Sequence, residues 1–276
     1  MRSCVVRFVV PSIALLVACG SEPVALDEGP EPILYDTPNF LIVDEAGVPA
    51  AVIDSLSEAL EMEWERVGAF FAEFILPDRI TFILRAGDGS PFVTVGENSM
   101  SQWASTLALN YIPHQLAHLW TRYTRRPFLE EGIAVYVTEF LMPENRDVHP
   151  YRGQVPHAWV ALFELNGSTL SLFSAYRARN FVFSFAGSSQ DALAWQVFIE
   201  AGSFTRWVID TFGRDVWFEL FRSDDLGGTL GGSTAELEDA WFRTVREAYP
   251  NQLSCEEALG TVGSREVFWC SRARGQ

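Results

Sequence analysis

Two histidines stand four residues apart in the stretch HQLAHLW, residues 114–120. On an α-helix, side chains at positions i and i+4 project from one face, with Cβ atoms about 5 to 6 Å apart. His114 and His118 can therefore reach one ion, as the paired histidines of helical zinc sites do. The chain contains four histidines in all, so the pair by itself is weak evidence for a metal site.

A carboxylate on the next apolar segment supplies a third ligand. The stretch FLEEGIAVYV places Glu130 and Glu131 on a helix that must pack beside the histidine helix. Burial of a carboxylate there is costly unless a cation or a hydrogen-bond donor meets it. Two neutral imidazoles and one carboxylate are the protein ligands of an open, catalytic type of Zn²⁺ site. The sequence therefore predicts a Zn²⁺ ion as cofactor.

The two stretches together resemble the gluzincin metallopeptidases, in particular their peptidase MA-like group. That group carries H-E-x-x-H, a short connection and then W-L-x-E-G-x-A-x-Y, and HQLAHLW and PFLEEGIAVYV are similar to these two motifs. Residues 201–222 and 237–245 are similar to two later helical segments of the group. The resemblance covers roughly residues 105–248 and implies a zinc hydrolase that acts on peptides or proteins.

Position by position, the resemblance implies which residues bind the ion. His114 and His118 fall on the two ligand histidines, and Glu131, immediately before Gly132, falls on the ligand glutamate. Glu130 takes the variable position before it. Because about 100° of helical rotation separates neighbouring residues, we expect Glu130 to face solvent or to support the ligands without binding the ion.

The residue after the first histidine departs from the family pattern. Gln115 stands where the family has a glutamate that takes a proton from the attacking water and passes it to the leaving amine. An amide orients water, but it does not accept a proton near neutral pH. Because such a base contributes about 10² to 10⁴ in rate, position 115 is a degenerate general-base position. A substitute base would have to be another carboxylate. The candidates are Glu97, Glu130, Glu139 and Glu200.

Apolar periodicity predicts the elements that must position these residues. Pro113 and Pro127 lie where a first helical turn tolerates proline, and the patterns predict helices over roughly 111–124 and 128–140. A long amphipathic helix and up to four strands are predicted before them. These are the helix 50–76 and the strands 39–43, 79–85, 92–95 and 105–110.

Residues 142–190 show little pattern, and further helices follow them. Apolar stripes predict these helices near 191–211, 214–223 and 233–248. Strands first and helices later indicate an α+β domain over residues 39–276, with a small mixed or antiparallel sheet packed on a mainly helical lobe. With the resemblance, this becomes a gluzincin-like zincin fold.

The first residues have the features of an export signal. Arg2 and Arg7 precede an apolar run over residues 8–18. This run is too short to span a bilayer as a stable helix. Its end, LVAC, resembles the lipobox of bacterial lipoproteins, which implies a signal peptide over 1–18 and acylation of Cys19. A plain secretory signal cut nearby is the alternative. With the lipid, the protein belongs to the bacterial cell envelope, facing the periplasm or on the outer membrane or cell surface.

Composition narrows the partners. Residues 19–38 are rich in proline, glycine and acid, which predicts a flexible tether. The chain has 36 acidic and 20 basic residues and a formal net charge of -16 at pH 7. A surface this acidic repels phosphate backbones and anionic headgroups. We therefore expect no nucleic-acid partner, and membrane contact only through the lipid on Cys19.

The remaining cysteines fit an oxidising compartment. Cys4 leaves with the signal and Cys19 takes the lipid, so Cys255 and Cys270 are most simply one disulfide. Two unpaired thiols are the alternative, because spacing does not show that the Cβ atoms meet. The spacing of this pair is not that of a zinc site.

Three functions are compatible with these patterns. We favour an exported lipoprotein that keeps Zn²⁺ but is catalytically impaired, and that binds peptides in the former substrate groove. The first alternative is an active zinc metallopeptidase with a substitute base. The second is a metal-free structural or interaction module whose histidines are satisfied in the core.

Mass spectrometry of the mature protein checks the lipobox. We expect the amino terminus at Cys19 and an acyl modification on that cysteine, because a small residue precedes it at the end of the apolar run. An unmodified cysteine, or a terminus elsewhere, would instead indicate a plain secretory signal.

Overall fold

A mixed sheet makes up the first part of the structure, and helices make up most of the rest. The computed structural model describes residues 32–72, 74, 79–89, 92–121, 127–142, 156–165, 167–172 and 189–250. They belong to a compact unit that begins at Pro32. The predicted signal peptide, Cys19, and the proposed pair of Cys255 and Cys270 lie outside the described residues.

The sheet has five strands in the order β1-β2-β3-β5-β4. The three inner strands β2, β3 and β5 run parallel, and each edge strand is antiparallel to its neighbour. Side chains of β2 and β3 alternate between buried and half-buried, as expected for strands with one face on the core. The strands are β1 (Ile33–Asp36), β2 (Phe40–Asp44), β3 (Ile80–Arg85), β4 (Phe92–Thr94) and β5 (Ser99–Trp103).

Two strands differ from the predicted ones. β1 lies inside the segment predicted as a tether and pairs with β2. Its apolar run is short and is surrounded by proline and acidic residues, so the sequence did not indicate a strand there. The prediction of a strand over 105–110 was wrong, because 3₁₀ turns occupy Ala104–Thr106 and Leu109–Tyr111. The strand lies just before them, in β5, whose sequence SMSQW carries serine and glutamine in a buried position. Such a polar strand lacks the apolar alternation used to find strands.

The predicted helices are present, with bounds that differ by a few residues. Pro113 and Pro127 lie in the first turns of their helices, as predicted. Among the described helices, the sequence did not predict α4, which is buried on nearly every side and so shows no amphipathic stripe, or the short α7. The helices are α1 (Ala50–Phe70), α2 (Ile112–Thr121), α3 (Pro127–Tyr136), α4 (Pro156–Leu165), α5 (Ser189–Phe212), α6 (Arg214–Ser223), α7 (Leu226–Leu230) and α8 (Thr234–Ala248).

Helical structure does not stop at the end of α3, because one π-helical turn, Val137–Leu141, continues it. α1 ends at Phe70, earlier than the predicted limit. Within the described part of the chain, none of the helices combines the length and apolar character needed to cross a bilayer. The fold is therefore α+β, with a small five-stranded mixed sheet and a mainly helical remainder.

The helix that carries Glu131 crosses α5 at two glycines. A Cβ atom on Gly132 of α3 would lie 2.3 Å from Thr205 Oγ1 and 2.7 Å from the Ala201 carbonyl oxygen. A Cβ atom on Gly202 of α5 would lie 2.3 Å from Val135 Cγ1. Only hydrogen fits at either position. The close approach of the two helices thus fixes the axis of α3.

Replacement of Gly132 by alanine is expected to push α3 and α5 apart. The Ala201 carbonyl belongs to the backbone of α5 and cannot swing away, so Gly132→Ala should lower the free energy of unfolding by about 1 to 3 kcal/mol. Chemical denaturation measures this. Gly96→Ala is the control, because a Cβ atom there would meet nothing within 4 Å. Equal stability of Gly132→Ala and the unmodified protein would contradict the crossing.

Candidate metal centre

α2 runs through the interior of the protein. All of its residues from Ile112 to Thr121 are buried, and it packs against α1, α3 and the edge strand β4. On the α1 side, Trp120 stacks on Phe71 at a centroid distance of 6.0 Å and contacts Trp64 at 4.6 Å. The apolar residues of α2 hold the helix in place, and its two histidines face α3.

The three residues predicted as ligands meet at one point. His114 Nε2 and His118 Nε2 lie 3.1 Å apart, and each lies 3.5 Å from Glu131 Oε2. All three side chains are buried. Among the described residues, they form a group of histidine and acidic side chains that could hold a metal ion.

The spacing of these three atoms fits a tetrahedral ion. Zinc binds histidine nitrogen and carboxylate oxygen at about 2.0 to 2.2 Å, so neighbouring ligand atoms in a tetrahedral site lie about 3.3 to 3.6 Å apart. The observed distances of 3.1 and 3.5 Å are close to these values. Two imidazoles also favour a first-row transition metal over Ca²⁺ or Mg²⁺, which prefer oxygen ligands throughout.

The electrostatics of the group prepare it for a cation. Burial would raise the pKa of Glu131, but the charge on His118 and hydrogen bonds from both imidazoles lower this pKa to about 2. Burial lowers the pKa of His114, and its hydrogen bond to Glu131 opposes the shift only in part. At neutral pH the carboxylate is therefore charged and the His114 imidazole is neutral. For Glu131 and His114, these are the protonation states that metal ligation requires.

Aromatic rings surround the first histidine. Tyr111, in the 3₁₀ turn before α2, stacks on His114 with centroids 4.7 Å apart and an interplanar angle of 21°. Phe198 of α5 approaches His114 at 6.3 Å. Tyr111 was not among the residues predicted for the site. Its position three residues before His114 could have indicated this contact, because residues at i and i+3 near the start of a helix are neighbours.

Gln115 is turned toward the sheet. Its Oε1 accepts a hydrogen bond from Gln102 Nε2 at 3.0 Å. Its Nε2 donates to the carbonyl oxygens of Phe92 and Ser101 at 3.3 and 3.4 Å. The side chain is buried, so protein groups occupy its amide oxygen and its amino group.

None of the four candidate substitute bases joins the ligand group among the described residues. Glu97 is exposed in a 3₁₀ turn. Glu139 is fully buried in the π-helical turn. Glu130 is also buried, so the alternative that it faces solvent was wrong. It lies in the first turn of α3, and the group that could hold an ion contains Glu131 in its place.

Glu200 is engaged elsewhere. Its two carboxylate oxygens accept from the Leu170 backbone N–H at 3.0 and 3.2 Å, and Gln196 Nε2 donates to one of them at 2.8 Å. Burial raises the pKa of Glu200 to about 8, and the charge of Glu238 adds to this shift. The group is therefore protonated at neutral pH. It holds the segment after α4, and it is not a carboxylate base there.

His157 has a structural place away from the ligand group. Its Nδ1 lies 2.7 Å from Ser203 Oγ, and Trp241 Nε1 donates to the same Oγ at 3.1 Å. These contacts join α4, α5 and α8. Burial and the charge of Arg206 lower the pKa of His157 to about 4, so this imidazole is neutral at neutral pH.

Comparison with known proteins adds no family to this geometry. No protein-family model matches the chain, and no curated protein matches it. Membership of the gluzincins therefore remains a prediction from the two sequence motifs.

The raised pKa of Glu200 predicts a pH dependence of stability. The folded state keeps a proton up to about pH 8, whereas the unfolded chain releases it near its ordinary pKa of 4.5. Stability from this group is therefore full below about pH 4.5 and is lost as pH rises toward 8. Glu200→Gln keeps a hydrogen-bond acceptor for Leu170 and removes the titration.

Urea unfolding near pH 5 and near pH 8 measures this difference. Between these conditions, the unmodified protein should lose about 3 kcal/mol relative to Glu200→Gln. If both proteins change in parallel with pH, Glu200 does not carry the titration.

Proposed function

We propose that this chain is an exported metal-binding protein of gluzincin type, in which His114, His118 and Glu131 hold Zn²⁺ and peptide hydrolysis is weak or absent. The observation that carries the proposal is the convergence of three buried ligand atoms at 3.1 to 3.5 Å. Export, acylation of Cys19 and a place in the bacterial cell envelope belong to the same proposal.

The donor set accounts for a bound cation. A buried carboxylate between two imidazoles is costly unless its charge is compensated. Two neutral imidazoles and one carboxylate give a site of net charge near +1 with Zn²⁺, and they leave one ligand position open. When bound, the ion supplies Lewis acidity to a group in that open position.

Among the described residues, neither Gln115 nor Glu200 offers a proton acceptor to the ligand group, which argues for binding over efficient hydrolysis. Gln115 is occupied by three hydrogen bonds to the sheet. Glu200 is protonated and holds Leu170. General acid–base catalysis increases the rate of hydrolysis by about 10² to 10⁴, so a zinc site without a proton acceptor hydrolyses peptides slowly.

A peptide or protein is the ligand class that this arrangement favours. The edge strand β4 lies against α2 and pairs with β5 among the described strands. An extended peptide adds readily to such an edge through its backbone. Phe92 on this strand is 40% exposed to solvent, so its ring can make apolar contacts with a bound peptide.

Metal binding is measured by elemental analysis and thermal unfolding with added Zn²⁺. The purified protein should hold about one Zn²⁺ per chain, and free Zn²⁺ at about 100 times the Kd should stabilise it by about 2.7 kcal/mol. His114→Ala and Glu131→Gln should lose both effects. His157→Gln is the matched control, because it removes a buried histidine outside the ligand group and should keep one Zn²⁺.

A peptide library, with and without a chelator, separates the functions. We expect the ion to bind and no chelator-sensitive cleavage to follow. Efficient cleavage that the chelator abolishes would mean that a substitute base exists. A protein that binds no Zn²⁺ and is indifferent to His114→Ala would be a metal-free module, and the proposal would fall.

A further inference from the structure

Two glutamines outside the ligand group connect the histidine helix to the sheet. Gln102 of β5 is fully buried, and so in effect is Gln115 of α2. The Ala108 backbone N–H donates to Gln102 Oε1 at 3.0 Å, and Gln102 Nε2 donates to the Ala108 carbonyl at 3.4 Å. The side chain of Gln102 thus holds the turn that leads into α2.

The hydrogen bonds of this network run in one direction. Because Ala108 N–H occupies the Gln102 oxygen, the Gln102 amino group must face Gln115, whose oxygen accepts from it at 3.0 Å. The Gln115 amino group is then left to donate to Phe92 and Ser101, whose carbonyl oxygens can only accept. Each member fixes the orientation of the next.

We propose that Gln102 and Gln115 are positioning residues that set the register of α2 against β4 and β5 and thereby aim His114 and His118 at Glu131. This inference rests on the proposed metal-binding function. It assigns position 115 a structural purpose that a glutamate cannot fulfil.

The two contacts act on both sides of the first histidine. Gln102 holds the chain at Ala108, before the helix, and Gln115 holds the residue directly after His114. Between them lies Tyr111, whose ring stacks on the His114 imidazole. A rotation or slide of the first turn of α2 would break these contacts and move His114 Nε2 away from Glu131 Oε2.

A glutamate at position 115 would break the network instead of restoring a base. Its carboxylate would place negative oxygen against the carbonyl oxygens of Phe92 and Ser101, where the amino group now donates. Buried acceptors without a donor are unfavourable. Gln115→Glu is therefore expected to weaken metal binding and to yield no hydrolysis.

Metal-free protein titrated with Co²⁺ tests the inference, at a temperature where every variant is folded. Gln115→Met and Gln102→Met keep side-chain volume and remove the hydrogen bonds. Each should lower Co²⁺ affinity about 10-fold or more, the usual effect of losing groups that orient metal ligands, and should change the visible absorption that reports the coordination geometry. Gln115→Glu should do the same.

A double variant tests whether the two glutamines act as one unit. The effects of substitutions within one hydrogen-bond network are not additive in free energy. The double variant Gln102→Met with Gln115→Met should therefore lose clearly less Co²⁺ affinity than the product of the two single fold-losses. Leu237→Ala is the control for general destabilisation, because this buried residue lies on α8, which packs against α4, α5 and α7. It should unfold at a lower temperature and keep the Co²⁺ affinity and spectrum of the unmodified protein.

The outcomes separate the inference from the proposed function. An unmodified protein that binds neither Co²⁺ nor Zn²⁺ removes the metal-binding function, and the inference falls with it. Binding by the unmodified protein, with the same affinity and spectrum in Gln115→Met and Gln102→Met, overturns the inference alone. If Gln115→Met does not fold, the Co²⁺ affinity and spectrum of Gln102→Met, which removes the partner of Gln115 on β5, test the inference instead.

Discussion

One buried carboxylate, that of Glu131, faces two imidazoles where α3 packs against α2. Glu131 Oε2 lies 3.5 Å from both histidine Nε2 atoms, and its lowered pKa keeps it charged in the interior. A charge in such a place must be compensated. The charge on His118 and hydrogen bonds from both imidazoles provide this compensation in the metal-free protein, and a cation bound to the same three side chains would provide it in their place.

The fold supports this group from two sides. On one side, Gly132 and Gly202 let α3 and α5 approach until only hydrogen fits between them, which fixes the helix that carries Glu131. On the other side, the sheet holds α2 through the side chain of Gln115. The residue that would be a proton acceptor in a gluzincin here serves as a tie to the sheet. In the proposed function, this arrangement separates metal binding from catalysis.

Sequence patterns predicted the parts of the structure that local chemistry determines. The spacing of His114 and His118 on a helix, the carboxylate on the next helix, and the amphipathic helices all follow from periodicities of a few residues. α8 even begins with a capping box between Ser233 and Glu236. By contrast, β5 is polar and buried, and α4 is apolar on nearly all sides, so neither carries the pattern of its own element. The contact between Gln102 and Gln115 depends on the packing of a strand on a helix, which spacing along the chain does not report.

Anomalous diffraction at the zinc absorption edge, from crystals grown with Zn²⁺, locates a bound zinc ion without reference to activity. We expect one strong peak within about 2.0 to 2.2 Å of His114 Nε2, His118 Nε2 and a carboxylate oxygen of Glu131. A map without a peak at this position, or with these three side chains turned away from a shared ion, would contradict the proposed metal site.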